Sequence, residues 1–231
     1  MKLFLWRQKD RRIESRTLLR WSIEEYEAAK QNQEPYRESE LDSLFEFVSK
    51  GTDEQLEVSD MGPTFDIVEA PGGKPLVVDE KGEAYPLHVS VTHTGDWWIG
   101  AVGEHPVGID AELRSRNVDP RLVRRICTKE EMHWLDQETA DVSEELREER
   151  LREKLLWLWV RKEAYVKYLG TGIGEGLKTF SVVQEGTAGD FREKDGYQTV
   201  ELCGIPEAEH ALELAVYAPE EEIEEIIWRN W

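Results

Sequence analysis

Four short stretches of this sequence hold side chains that could do chemistry together. In Val107-Gly108-Ile109-Asp110-Ala111-Glu112 two carboxylates stand two residues apart. On a strand that spacing sends both to one face, where two anions repel unless a cation sits between them. Hard oxygen ligands in this arrangement suit Mg²⁺, which takes one or two carboxylates and completes its octahedron with water and substrate phosphate. By itself, a D-x-E on a strand is also a common solvent-facing polar stripe. In Trp159-Val160-Arg161-Lys162-Glu163-Ala164-Tyr165-Val166-Lys167, Glu163 and Lys167 lie four apart and share a helix face, while Lys162 points to another side. A surface ion pair would be worth little, but Trp157, Trp159, Ala164 and Val166 mark this helix as largely buried, so its polar groups need a partner or a purpose. A buried carboxylate there could be a further metal ligand or, with a tuned pKa, a general base; a nearby ammonium could stabilise a departing phosphate.

The third stretch is Ser90-Val91-Thr92-His93-Thr94-Gly95, a histidine at a strand end beside hydroxyl residues and a glycine turn. A lone histidine at such a place is usually structural, but the combination is also suited to gripping a phosphate. The fourth, Pro71-Gly72-Gly73-Lys74-Pro75, presents a glycine-flanked lysine in a loop that could do the same. The Walker A spacing is absent, as are a Ser-His-Asp order, an H-E-x-x-H helix and a C-x-x-C pair. Cys127 and Cys203 have no metal-ligand spacing and read as free thiols without a chemical role.

The elements that must position these residues are mixed. A helix is expected over Arg11 to Lys30 and a shorter one over Glu38 to Lys50, closed by Gly51. Between Gly62 and Pro86, glycine and proline punctuation separates short extended pieces, Thr64 to Val68 and Leu76 to Val78. Leu87 to Thr92 and Trp97 to Val102 read as a hairpin about Gly95-Asp96, followed by a strand at Val107 to Glu112. A helix can begin at Asp119-Pro120 and run to Ile126, and Thr128 with Glu131 is a capping box for Lys129 to Leu135. Residues 141 to 154 form the polar half of a long helix that Leu155 to Leu169 continues until Gly170 stops it. Strands are expected at Thr179 to Val183, Tyr197 to Leu202 and Ala211 to Ala218, and Glu220 to Trp228 reads as a short terminal helix behind Pro219. Without a regular βαβ alternation the class is α+β.

The composition, 39% hydrophobic and 34% charged over 231 residues, can bury a core. A net charge of -20 argues against a general nucleic-acid binder. The first twenty residues are the exception, with seven basic side chains against two acidic. They form either a solvated face or an anion-docking segment. No apolar run approaches a membrane span, and Arg7 to Arg12 interrupt the apolar start before a secretory segment could form. The expected compartment is the cytoplasm.

Read in order, Gly73-Lys74-Pro75, Val91-Thr92-His93-Thr94-Gly95, Val107 to Glu112 and Trp159 to Lys167 resemble the signature blocks of Sfp-type 4′-phosphopantetheinyl transferases. The resemblance covers about Arg16 to Val183 and includes Ser15-Arg16-Thr17-Leu18-Leu19. It implies a monomeric α+β pseudodimer with coenzyme A in the cleft between two similar halves, here 1–104 and 105–231. The implied activity is transfer of the phosphopantetheine arm to a serine of an acyl or peptidyl carrier protein, with release of 3′,5′-ADP. By the same resemblance Asp110, Glu112 and Glu163 bind Mg²⁺ and Glu163 deprotonates the serine. Lys167 serves the leaving group, and Arg16, Lys74, Thr92 and His93 contact the nucleotide. The first half looks shortened at its start, and the acidic segment of about 32–57 looks like an insertion. Carrier docking is expected to be mainly apolar, near a basic cluster of Arg114, Arg116, Arg121, Arg124 and Arg125. Two other readings are a degenerate family member that binds coenzyme A or a nucleotide without transferring anything, and an adaptor whose acidic helices form a partner surface.

Overall fold

The computed structural model describes residues 1–9, 13–31, 64–172, 176–186, 190–202 and 205–230. The expected helix over Glu38 to Lys50, the acidic segment 32–57, the turn at Gly62-Pro63, Arg11, Arg12 and Cys203 lie outside the described residues.

The fold is α+β, as the mixed element order implies. Strand β1 (Lys2–Arg7) pairs antiparallel with β5 (Trp97–Gly103), which pairs antiparallel with β4 (His88–Thr94). On its other side β1 runs parallel to β11 (Glu225–Asn230), giving a first sheet in the order β11-β1-β5-β4. The apolar start of the chain is therefore an interior strand, and the expected terminal helix over Glu220 to Trp228 is instead an edge strand. Pro219 and the acidic run after it imitate a helix start, but the residues beyond alternate between two cores. Ile227 packs on one face of the sheet, Ile226 and Trp228 on the other.

Both faces of this sheet are covered. Phe4, Trp6 and Trp98 meet Leu18, Leu19, Trp21 and Ile23 of helix α1 (Ser15–Lys30), and the hairpin of β2 (Phe65–Glu69) and β3 (Pro75–Asp79) closes the same side. The opposite face, with Leu3, Leu5, Trp97, Ile99 and Ala101, packs on a second sheet through Ile109, Ala111, Leu212 and Val216. That second sheet has the order β6-β10-β9, from β6 (Gly108–Leu113), β9 (Tyr197–Gln198) and β10 (Leu212–Tyr217). The strand expected over Tyr197 to Leu202 is thus two residues long, and that expected over Thr179 to Val183 is a 3-10 turn, Leu177–Thr179, leading into β7 (Val183–Glu185). β7 pairs with β8 (Phe191–Glu193).

The outer layer over the second sheet is helical. After a 3-10 turn at Pro120–Leu122 come α2 (Val123–Ile126), α3 (Lys129–Glu138) and the long α4 (Glu144–Leu169). A short α5 (Pro206–Ala211) precedes β10. Thr128 and Glu131 form the capping box of α3 in both directions. Gly170 ends α4 at φ 70°, a left-handed backbone that glycine adopts without a Cβ penalty. α4 lies so close on β6 that a Cβ at Gly108 would collide with the Ala164 carbonyl and the Tyr168 backbone. This close approach brings the chemistry of α4 onto that of β6. No helix among the described residues is long and apolar enough to cross a membrane.

Candidate active site

The edge strands β4 and β6 face each other without a backbone ladder; the hydroxyls of β4 join them instead. Ser90 Oγ accepts the Ile109 amide at 3.1 Å, Thr92 Oγ1 donates to Asp110 Oδ1 at 2.9 Å, and Thr94 Oγ1 donates to Glu112 Oε2 at 3.1 Å while accepting the Leu113 amide at 3.3 Å. Period-two geometry puts these three hydroxyls on one face of β4 and both carboxylates on the matching face of β6, turned toward α4. Thr94 was absent from the sequence-derived set, although its spacing from Thr92 placed it on that face.

Asp110 is buried and receives a second hydrogen bond, at 2.8 Å, from Lys167 Nζ, which also donates to the Val91 carbonyl at 3.2 Å. Lys167 thus shares a helix face with Glu163 but spends its ammonium on Asp110. Glu163 is buried as well. Burial pushes its carboxyl above the usual range and the Asp110 charge adds to this, with Lys167 and Arg116 pulling the other way. Two carboxylate oxygens, Asp110 Oδ2 and Glu163 Oε1, are buried without any hydrogen-bond partner. Such atoms are rare in folded proteins because each leaves a desolvation cost uncompensated. They are hard donors and suit an oxygen-loving divalent cation. Glu112 is placed differently: besides Thr94 it is paired with Arg116. Among the described residues no three His, Cys, Asp or Glu side chains converge at metal-binding spacing. The residues present therefore fit a cation held by two carboxylates, with the third expected ligand engaged elsewhere.

Of these groups, Ser90, Glu163 and Lys167 open onto a cleft of about 320 Å³, with Lys74 also in its lining. Its rims are the β2–β3 turn and the end of α4. Gly72 and Gly73, at φ 105° and 82°, let the turn double back on itself, and Lys74 Nζ reaches across to the Tyr168 carbonyl at 3.0 Å. Burial holds the Lys74 ammonium below the ordinary lysine range. A second hollow of about 410 Å³ shares Gly73, Pro75 and Val91 with the first and extends to Ser15 and Arg16 at the start of α1. Ser15 Oγ is fixed there by the Trp98 indole at 2.8 Å. Arg16 is exposed and ion-paired with Asp66 at 2.7 Å, and the Ile67 amide together with Arg16 holds Asp66 below the usual carboxylate range.

The expected nucleotide-contact residues are therefore distributed. Thr92 is buried between β4 and β6 on Asp110 and Lys74 spans the rims, whereas Arg16 lies at the far hollow. His93 is exposed on the face of β4 opposite Thr92 and lines neither hollow. Lys162 leaves the cleft altogether. Its ammonium is fully buried against Glu131 at 2.9 Å and the carbonyls of Leu177 and Phe180. The expected basic cluster is largely neutralised, with Arg114 on Glu213, Arg116 on Glu112 and Arg121 on Asp119. Arg124 and Arg125 are exposed. Cys127 is a free, buried thiol whose pKa burial pushes up to about 12, which suits an inert core residue.

Fold and site together define an α+β protein with a cleft lined by Glu163, Lys74 and Lys167, beside the buried Asp110 that Lys167 holds. Over residues 106–212, which hold β6 and α4 and end at the first residue of β10, the chain matches the family model of the 4′-phosphopantetheinyl transferase superfamily. It is similar to the 4′-phosphopantetheinyl transferase psf-1 of Bacillus pumilus, 34% identical over 47% of this chain and 41% of the relative. A 4′-phosphopantetheinyl transferase of Bacillus subtilis is 26% identical over 66% of this chain and 61% of its own length. The Sfp protein of Bacillus subtilis strain 168 is 29% identical over 48% and 43%. The aligned segments thus cover between two fifths and three fifths of these relatives' lengths.

Proposed function

We propose that this chain transfers the 4′-phosphopantetheine group of coenzyme A to a serine of an acyl or peptidyl carrier protein, releasing 3′,5′-ADP. The observation that carries this reading is the pair of buried, unpartnered oxygens on Asp110 and Glu163, with Lys167 bonded to Asp110 and, like Glu163, lining a cleft rimmed by the Lys74 turn. The names of the relatives and the matched family point the same way.

In the reaction the serine oxygen forms a bond to the β-phosphorus as the bond from that phosphorus to 3′,5′-ADP breaks. The serine proton passes to Glu163, directly or through one water; a carboxyl raised above its usual range is a stronger base for a hydroxyl. Lys167 holds its ammonium beside Asp110, where charge gathers on the phosphate oxygens. Lys74 closes the wall on the nucleotide side. A bound Mg²⁺, for which Asp110 and Glu163 offer free oxygens and Glu112 is the third candidate, would supply neutralisation of the pyrophosphate charge. Action as a monomer in the cytoplasm, with two similar halves meeting near residue 104, belongs to the same proposal. Two sheets, each backed by helix on its outer face, support the halves, and β11 crosses from the second half into the first sheet.

The test is mass spectrometry of an apo carrier protein incubated with this protein, coenzyme A and Mg²⁺, beside Glu163→Gln and a chelator control. The expected result is one added phosphopantetheine on the carrier serine, with both controls reduced at least ~10²-fold. No addition on any of several carriers, with coenzyme A still bound in a direct binding assay, would favour a module that binds the nucleotide without transferring its arm.

A further inference from the structure

Glu112 differs from its two neighbours in having both oxygens engaged, one by the Thr94 hydroxyl and one by Arg116. Arg116 is placed by the backbone. Its amide donates to the Leu113 carbonyl at 2.8 Å, so the chain leaving β6 turns back and returns the guanidinium to the strand it has just left. On its other side the guanidinium lies over the Trp159 ring, 5.7 Å from the centroid, one helical turn before Glu163. The Arg116 side chain is 46% exposed, against 18% for that of Glu112, so it stands on the solvent side of the pair.

We propose that Arg116 is an internal counter-ion that holds Glu112 out of the metal site, so that a divalent cation recruits Glu112 only by displacing Arg116. This rests on the metal-site reading above and adds to it a residue that sets cation affinity. The resting site is then a two-carboxylate site, Asp110 and Glu163, and the complete one has three carboxylates. A carboxylate cannot give the same oxygen fully to a guanidinium and to a metal ion, and Thr94 already occupies its other oxygen. A half-exposed pair is weak enough for a cation to break, while the Trp159 face offers the released guanidinium a place to rest. Arg116 is thereby a positioning residue, acting through Glu112.

The experiment is a titration of the protein with Mn²⁺ alone, followed by electron paramagnetic resonance of the free ion, without coenzyme A or carrier. Arg116→Gln is expected to tighten Mn²⁺ binding by about twofold to fivefold, the range a weak ion pair can supply, and Arg116→Lys to stay near the parent. In a Glu112→Gln background the Arg116→Gln effect should vanish. Arg114→Gln, which removes a similarly exposed cation paired with Glu213, should change little. Unchanged or weaker binding in Arg116→Gln overturns the proposal. So does equal tightening in the Glu112→Gln background or in Arg114→Gln, which would mean that only the net charge matters. Mn²⁺ binding that follows the expected pattern in a protein that transfers nothing would overturn the transferase reading and leave this one standing. No Mn²⁺ binding in any variant would overturn both this proposal and the metal site.

Discussion

Two lysines five residues apart on α4 are used in opposite ways. Lys162 is fully buried, and its three hydrogen bonds go to Glu131 and to the Leu177 and Phe180 carbonyls, so it ties the chain after α4 to α3. Glu131 is equally buried and also accepts the Thr128 and Val182 amides. Lys162→Met would leave that carboxylate without its cation, and breaking one side of a buried pair costs about 3–5 kcal/mol. Removing the charge of the partner too, as Lys162→Met with Glu131→Gln, should recover part of the loss, because the glutamine oxygen still accepts a backbone amide. Lys167→Met should behave in the reverse sense. Lys167 is partly exposed and ends on Asp110 and the Val91 carbonyl, so its loss should cost little stability and about 10²-fold or more in transfer. Urea denaturation beside the carrier assay separates the two; equal effects of both substitutions on both readouts would remove the distinction. Sequence spacing placed Lys162 and Lys167 on different faces of one helix, but which carboxylate each would choose was not legible. That choice depends on α3 and β6, which lie far away along the chain.

At the scale of elements, the site depends on how closely α4 approaches β6. Glu163 comes from the helix and Asp110 from the strand, and Gly108 permits the contact, since a Cβ there would meet the Ala164 carbonyl and the Tyr168 backbone. Backbone atoms of a packed helix cannot swing aside as the end of a long side chain can. Gly108→Ala should therefore push the two elements apart, costing about 1–3 kcal/mol by overpacking and reducing transfer beyond what the lost stability explains. The check is kcat/KM measured well below the melting temperature of the variant; wild-type turnover there would show that the strand–helix spacing is not critical. The site strands were legible because β4 and β6 each bury one polar face, which preserves the period of two. β1 was not. Leu3, Phe4, Leu5 and Trp6 are buried on both faces of the sheet, and a short run of unbroken apolar residues has no period to read. The pairing of Glu112 with Arg116 was also hidden, since it depends on the reverse turn at the end of β6 rather than on any strand or helix period.

For the molecule as a whole, the last strand holds the first sheet together. β11 is hydrogen-bonded to β1 along its whole length, from Lys2 opposite Glu225 to Arg7 opposite Asn230. It also inserts side chains into two cores, Ile227 beside α1 and Trp228 against Trp97, where the rings stack at 5.3 Å. Arg229 adds an ion pair to the buried Glu25 of α1 at 2.9 Å. The third core, where α3 and α4 pack around Trp134, Leu155 and Leu158, includes no residue of β11. Replacing both Ile227 and Trp228 by alanine should therefore act unevenly. Partly buried side chains of this size contribute roughly 1–3 kcal/mol each, and the loss should appear in the elements that share their cores. Hydrogen exchange is expected to quicken across β1, β5 and α1, because local stability follows local packing, while the amides of α3 and α4 keep their protection. Loss of protection in all elements together would mean instead that the two sheets unfold as one unit, and that β11 supports the candidate active site as much as it supports the sheet it joins.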